Sequence, residues 1–272
     1  MDLALLRQRA AALRKLHDRT RVLLLANVWD VASALAVEAA GFPAIATASA
    51  GISASLGYRD GEQIPRDQML DVVARVARAV RVPVTADLEA GYGDPAGTVV
   101  AALQAGAVGM NLEDSSRAQP TLFGIEEQAE KVRAARAAAD RAGVPFVINA
   151  RTDVYLLGGG DERFAQAVDR ARAYLSAGAD CIFVPGVRDA QTIGRLAAAI
   201  DGPLNILAGA GSPDVATLFR LGVARVSTGP GLMRTALTAA RRAAEELLER
   251  GTYGFAEGNI TGPEIDKLLA QG

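Results

Sequence analysis

Three groups of carboxylates stand where apolar runs give out. They are Asp60 in Leu56-Gly57-Tyr58-Arg59-Asp60, Asp87 and Glu89 in Ala86-Asp87-Leu88-Glu89-Ala90-Gly91-Tyr92-Gly93, and Glu113 and Asp114 in Asn111-Leu112-Glu113-Asp114. Carboxylates are poor strand residues, so acids that close successive apolar runs read as ligands rather than packing. Acids converging on one rim bind a hard divalent cation through oxygen, with water completing its shell. Magnesium takes one or two protein carboxylates and keeps several waters, which suits this set. The single His and single Cys leave zinc without its usual ligands. Asp87 and Glu89 are two residues apart, so on a strand they share a face. One could bind the metal while the other, or Glu113 from the adjacent strand, holds a metal-bound water.

Arg151 closes another apolar run, Pro145-Phe146-Val147-Ile148-Asn149-Ala150. A guanidinium there is costly to bury without partners, and its planar fork matches a carboxylate bidentately. It could clamp a substrate carboxylate or stabilise negative charge near the metal. A structural ion pair with Asp153 or Glu113 is the alternative, and both can hold at once. The small residues Thr47-Ala48-Ser49-Ala50-Gly51 would let successive backbone N–H groups approach an anion, although they also suit an ordinary tight turn. His17 precedes the first strand and reads as a surface or interhelix residue. Cys181, inside Cys181-Ile182-Phe183-Val184, reads as a small buried hydrophobe. No Ser-His-Asp or Cys-His arrangement is therefore available. A Walker-type loop and a Gly-x-Gly-x-x-Gly strand-to-helix turn are both missing.

The elements that must position these residues alternate along the chain. Strands are expected at 22–26, 44–48, 82–88, 109–112, 146–150, 181–184, 204–207 and 225–227, mostly as continuous apolar runs of the kind parallel strands show when covered on both faces. Ala/Arg/Glu-rich segments with helical spacing separate them, and several end in Gly just before the next strand, at Gly41, Gly106, Gly143 and Gly178. Eight such units predict a (β/α)8 TIM barrel as a single domain over residues 1–272, with a doubly wound open sheet as the alternative. In a barrel the chemistry sits where strands end. Those positions hold Asn27, Trp29 and Asp30, then Thr47 to Gly51 and Asp60, then Asp87 and Glu89, then Glu113 and Asp114, then Asn149, Arg151, Thr152 and Asp153, and finally Asn205.

Composition narrows the rest. A formal net charge of −2 gives no electrostatic case for nucleic acid. No apolar stretch reaches the roughly 20 residues that span a bilayer, so no membrane association is expected. The charged first residues, Met1 to Thr20, do not look like a signal peptide, and with one cysteine the expectation is a cytoplasmic protein.

Together, Leu56–Asp60, Ala86–Gly93, Asn111–Asp114 and Asn149–Asp153 resemble, in order and spacing, four motifs of the isocitrate lyase/phosphoenolpyruvate mutase superfamily. The resemblance runs from about Leu23 to Ala236. It implies a barrel whose C-terminal helix is exchanged between subunits of a homodimer or homotetramer. It also implies Mg2+, with Mn2+ as an alternative, held directly by Asp87, with Glu89, Glu113 and Asp60 acting through water. Substrates would be small 2-keto or 2-hydroxy carboxylates, or phosphonopyruvate-like compounds. Arg151 would bind the substrate, and backbone N–H groups around Ala48 to Ala50 its carboxylate. The resulting site expectation is Asp60, Glu113 and Arg151 as catalytic residues; Thr47, Ala48, Ser49, Ala50, Asp87, Arg151 and Asn205 against substrate; and Asp87, Glu89 and Glu113 around the metal. One stretch departs from the family: residues 115–124, Ser-Ser-Arg-Ala-Gln-Pro-Thr-Leu-Phe-Gly, are short and carry none of the Lys, Cys and His that family lyases place in a gating loop after the fourth strand. Val184-Pro185-Gly186 likewise lacks an expected Glu or His. The reaction expected is carbon–carbon cleavage through a stabilised enolate. Carbon–phosphorus chemistry and a 2-keto-acid binding protein with little turnover are the alternatives.

Overall fold

The computed structural model describes residues 2–116, 120–160 and 162–270. Its strand segments are β1 (Leu23–Leu25), β2 (Asn27–Val28), β3 (Ile45–Thr47), β4 (Val84–Asp87), β5 (Gly109–Glu113), β6 (Ser115–Ser116), β7 (Thr121–Leu122), β8 (Val147–Arg151), β9 (Cys181–Val184), β10 (Leu204–Leu207) and β11 (Arg225–Ser227). Nine of them form a parallel sheet in the order β1-β11-β10-β9-β8-β5-β4-β3-β2. β1 and β2 are two halves of one strand interrupted at Ala26: β1 pairs with β11 (Leu24 opposite Val226) and β2 with β3 (Val28 opposite Thr47). The chain itself thus joins the two edges, and eight strands close into a (β/α)8 barrel. The open doubly wound sheet is excluded, because it would leave both edges unpaired.

The strands are short and almost wholly buried, as expected for a sheet lined inside by side chains and wrapped outside by helices. Cys181 is among them. Gly106 and Gly178 end their helices at φ of 94° and 105°, the left-handed conformation that lets the chain turn straight into the next strand. The first helix, Leu3–Lys15, closes the floor of the barrel. There Leu13 is fully buried against Gly109, where an added Cβ would lie 2.9 Å from Leu13 Cδ2 and 3.0 Å from the Val147 carbonyl oxygen.

After β5 the chain makes a small antiparallel ribbon, β6 with β7, that the sequence pattern did not announce. Residues 117–119 of the short loop discussed above lie outside the described residues. The helix Gly231–Arg250 leaves the barrel with Met233 as its buried residue, and carries exposed Leu237, Leu247 and Leu248. The helix Gly262–Leu269 folds back toward the helix Val31–Ala39. No helix among the described residues is long and apolar enough to cross a membrane.

Candidate active site

β4 ends at Asp87, and its two neighbours, the turn that follows β3 and the strand β5, supply the groups that fix its carboxylate. Oδ2 accepts from Ser49 N (3.1 Å) and Ser49 Oγ (2.6 Å), and Oδ1 accepts from Asn111 Nδ2 (3.1 Å). Its own N–H donates to Thr47 Oγ1 at 3.0 Å.

Because the strand stops at Asp87, its two-residue alternation does not extend to Glu89. Glu89 instead reaches the cluster through a left-handed turn, with φ of 52° at Glu89, 90° at Gly91, 55° at Tyr92 and 71° at Gly93. Non-glycine residues adopt this conformation at a cost of order 1–3 kcal/mol and keep it where surroundings dictate it. Here the brace is Glu62, itself at φ 56°. Its N–H donates to Glu89 Oε2, and its Oε1 accepts the Tyr92 N–H at 2.7 Å. Glu89 is 2% exposed, and its Oε1 is buried with no hydrogen-bond partner among the described residues. Burial, then Asp87 and Asp60, push its carboxyl up to about 8. Asp60 thus lies within electrostatic reach of the pair.

Glu113 and Arg151 end β5 and β8 opposite one another in register. Arg151 Nη1 is 2.6 Å from Glu113 Oε2, its Nε donates to Asp153 Oδ1 at 2.6 Å, and Nη2 donates to Asp153 Oδ2 at 3.1 Å. Burial opposes the guanidinium charge, but Glu113 and Asp153 outweigh it and hold Arg151 charged above its ordinary range. Burial pushes the Glu113 carboxyl well above its usual range; Arg151 pulls it back, while Asp153 and Asp87 add to the push. Asp153 also accepts from Ser115 Oγ at 2.5 Å, which ties the ribbon after β5 to the arginine. Beside this clamp opens a cavity of about 400 Å³ lined by Glu113, Ser115, Arg151, Asp153, Leu156 and Leu157 among others.

Asp114 does different work. Fully buried, it accepts from Asp153 N (2.8 Å), Arg170 Nη1 (3.0 Å) and Tyr174 Oη (2.8 Å), so it fixes the backbone that carries Asp153.

In the small-residue turn, Ala48 N donates to Val28 O (2.9 Å), Ser49 N to Asp87, and Gly51 N to Ala48 O (3.0 Å). The amide of Ala50 is the one in this turn that donates to no described residue. Asn205 is buried on β10 and its Oδ1 accepts from Ser227 Oγ at 3.3 Å, rather than joining the acids. His17 is buried rather than on the surface, at the floor of the barrel with Nδ1 2.9 Å from Leu13 O. The structure therefore gathers Thr47, Ser49, Asp60, Asp87, Glu89, Glu113 and Arg151 into one network.

Several contributors escaped the sequence reading: Glu62, Asn111, Ser115 as a partner of Asp153, and Arg225, whereas the Arg151–Asp153 pair was among the expectations. For Asn111 a signal existed, since it is a polar residue placed inside a strand rather than at its end, and Arg225 is a charged residue that opens one.

Among the described residues no three His, Cys, Asp or Glu side chains converge into a ready-made cage. Magnesium does not ask for one, because its shell is mostly water. The orphaned, buried Glu89 Oε1 and the repulsion that raises Glu89 are the features a hard cation beside Asp87 would relieve, so the donor set fits that ion.

A closed parallel barrel with acids and one clamped arginine at the ends of neighbouring strands defines an enzyme of the lyase and mutase class. The chain belongs to the phosphoenolpyruvate phosphomutase family, whose sequence profile matches residues 13–248, and so to the isocitrate lyase/phosphoenolpyruvate mutase superfamily. A solved Burkholderia cenocepacia protein assigned as a lyase or mutase superposes with a TM-score of 0.91 at 39% identity, covering 98% of each chain. The oxaloacetate decarboxylase of Pseudomonas aeruginosa is 32% identical over 94% of this chain and 90% of its own length. Oxaloacetate acetylhydrolase with its product oxalate superposes with a TM-score of 0.86 at 27% identity, covering 96% of this chain and 93% of that one.

Proposed function

We propose that this protein is a Mg2+-dependent carbon–carbon lyase, with Mn2+ as an alternative ion, acting on a small 2-keto or 2-hydroxy di- or tricarboxylate. The observation that carries the reading is the pairing of the Arg151 clamp with half-buried Asp87 and buried Glu89 across neighbouring strand ends. The similarity to enzymes named for oxaloacetate points to the same class of compound.

Asp87 would hold the ion directly, and Glu89, Glu113 and Asp60 would hold its water. Bound there, the ion supplies Lewis acidity toward the oxygen on carbon 2 and the neighbouring carboxylate. Arg151 fixes the substrate carboxylate in the cavity beside Glu113, and the Ala50 amide offers a second donor. Cleavage leaves the electron pair of the broken bond on a carbon next to a carbonyl or carboxylate, and the positive clamp stabilises that charge. Neither cysteine nor histidine occurs in residues 115–124, so water or a residue of the surrounding shell would supply the proton that quenches it.

The test is a panel of 2-keto and 2-hydroxy di- and tricarboxylates assayed with Mg2+ and with chelator, scoring pyruvate, glyoxylate and CO2. Metal-dependent release from one of them supports the proposal. The family match favours a second reading, carbon–phosphorus chemistry, which phosphate or phosphoenolpyruvate formation from phosphonopyruvate would establish instead. Tight oxalate binding with no turnover on the whole panel would make it a binding protein.

We also infer that the long C-terminal helix is exchanged between subunits. Its exposed Leu237, Leu247 and Leu248 find no cover on their own barrel. Light scattering should give a dimer or tetramer, and a monomer would refute the exchange.

A further inference from the structure

Beneath the site, Arg225 of β11 is 1% exposed, and the partners its guanidinium has among the described residues are neutral. Its Nε has none. A buried guanidinium with no carboxylate bonded to it is expensive for a fold to hold, and arginine cannot shed its proton to escape the cost. What surrounds it is ordered toward Asp87. His17 Nδ1 faces the Leu13 carbonyl at 2.9 Å and must donate to it, so Nε2 turns its lone pair toward Arg225 Nη1 at 3.5 Å. On the other side Nη2 donates to Asn111 Oδ1 at 3.4 Å, an oxygen that also accepts from Asn149 Nδ2 at 2.8 Å. With that oxygen taken from below, the Asn111 amide presents its N–H to Asp87 Oδ1.

We infer that Arg225 is a positioning residue: through Asn111 it fixes the Asp87 carboxylate in the orientation that holds the ion. This rests on the reading of Asp87 as the metal-binding carboxylate. Groups one step behind a metal ligand typically set its affinity by 10–100-fold. A through-space role predicts the opposite sign, because removing a positive charge would tighten cation binding.

The probe is Mn2+ alone, titrated into the full chain and followed by the paramagnetic resonance of the free ion. Arg225→Met should weaken Mn2+ binding about tenfold, and Arg225→Lys, which keeps a charged donor, should recover part of the loss. Asn111→Leu should weaken it similarly, and adding Arg225→Met to Asn111→Leu should then change nothing further, the signature of one relay. A merely structural arginine would lower the melting temperature and leave the affinity of the folded protein where it was. Unchanged or tighter Mn2+ binding in folded Arg225→Met, or additive losses in the double variant, overturns the inference. Should Arg225→Met not fold, Arg225→Lys and Asn111→Leu carry the comparison by the same criteria. Wild-type protein that binds no Mn2+ removes the metal reading and this inference together; wild-type binding with an indifferent Arg225→Met removes this inference alone.

Discussion

Arg151 Nη1 stands 2.6 Å from Glu113 Oε2, across the paired ends of β8 and β5, while the other edge of the same guanidinium holds Asp153. One planar cation therefore joins two strand ends and the ribbon that follows β5. Both roles weighed from the sequence, clamp and ion pair, are open to it at once.

Replacing Arg151 should separate them. Arg151→Lys keeps the charge but not the fork, and should cut kcat/KM by about 100-fold, ~2.7 kcal/mol of transition-state stabilisation. Arg151→Met strands two buried carboxylates and should also destabilise the fold by about 3–5 kcal/mol in denaturant titration. Equal activity in Arg151→Lys would count against the clamp.

Glu89 makes the ion-free protein sensitive to alkali. With a folded value of about 8 against an ordinary 4.5, the folded state keeps a proton that the unfolded chain releases. The contribution of Glu89 to stability is thus most favourable below about 4.5 and declines as pH rises toward 8. Mg2+ competes with that proton, so its affinity and the rise in melting temperature it produces should both grow across this window. Glu89→Gln should flatten both curves, and a wild-type metal response independent of pH would contradict the assignment.

His17 should act at the other end of the scale. Burial, then the charge of Arg225, lowers its pKa from 6.5 to about 4, so the unfolded chain takes up a proton that the folded one refuses. Stability should fall as pH drops from about 6.5 to about 4, with a full amplitude of about 3 kcal/mol. As the single histidine, its imidazole resonances can be titrated without ambiguity. His17→Gln should remove this component of the acid sensitivity.

Asp114 should prove structural in the first instance. Asp114→Ala leaves Arg170 without its buried partner and should cost about 3–5 kcal/mol of stability. Mn2+ binding at Asp87 should survive in the folded fraction. An affinity loss as large as that of Asp87→Ala would place Asp114 at the metal instead.

Much of this protein is written locally. Apolar runs of four or five residues separated by helical spacing, with Gly at the helix ends, specify βα units, because burial on both faces and a left-handed stop are demands of neighbouring residues alone. Carboxylates and an arginine at the ends of those runs mark the rim for the same reason: they are the residues a buried strand cannot hold in its middle. Eight such units pointed to a closed barrel, but the pairing that closes it, β1 with β11, joins residues some two hundred positions apart and could not be read locally. Nor was the route by which Glu89 reaches Asp87. The two-residue alternation expected to align them ends at Asp87, and a left-handed turn braced by Glu62 takes its place. The roles of Glu113 and Asp114 show the limit most directly. They are adjacent acids of the same chemistry at the same strand end, yet opposite pleats send one to Arg151 at the rim and the other to Arg170 and Tyr174 in the wall. Side-chain type and position along the chain determine which residues can do chemistry. Which carboxylate meets which cation is a matter of distances between strands, and those exist only once the barrel has closed.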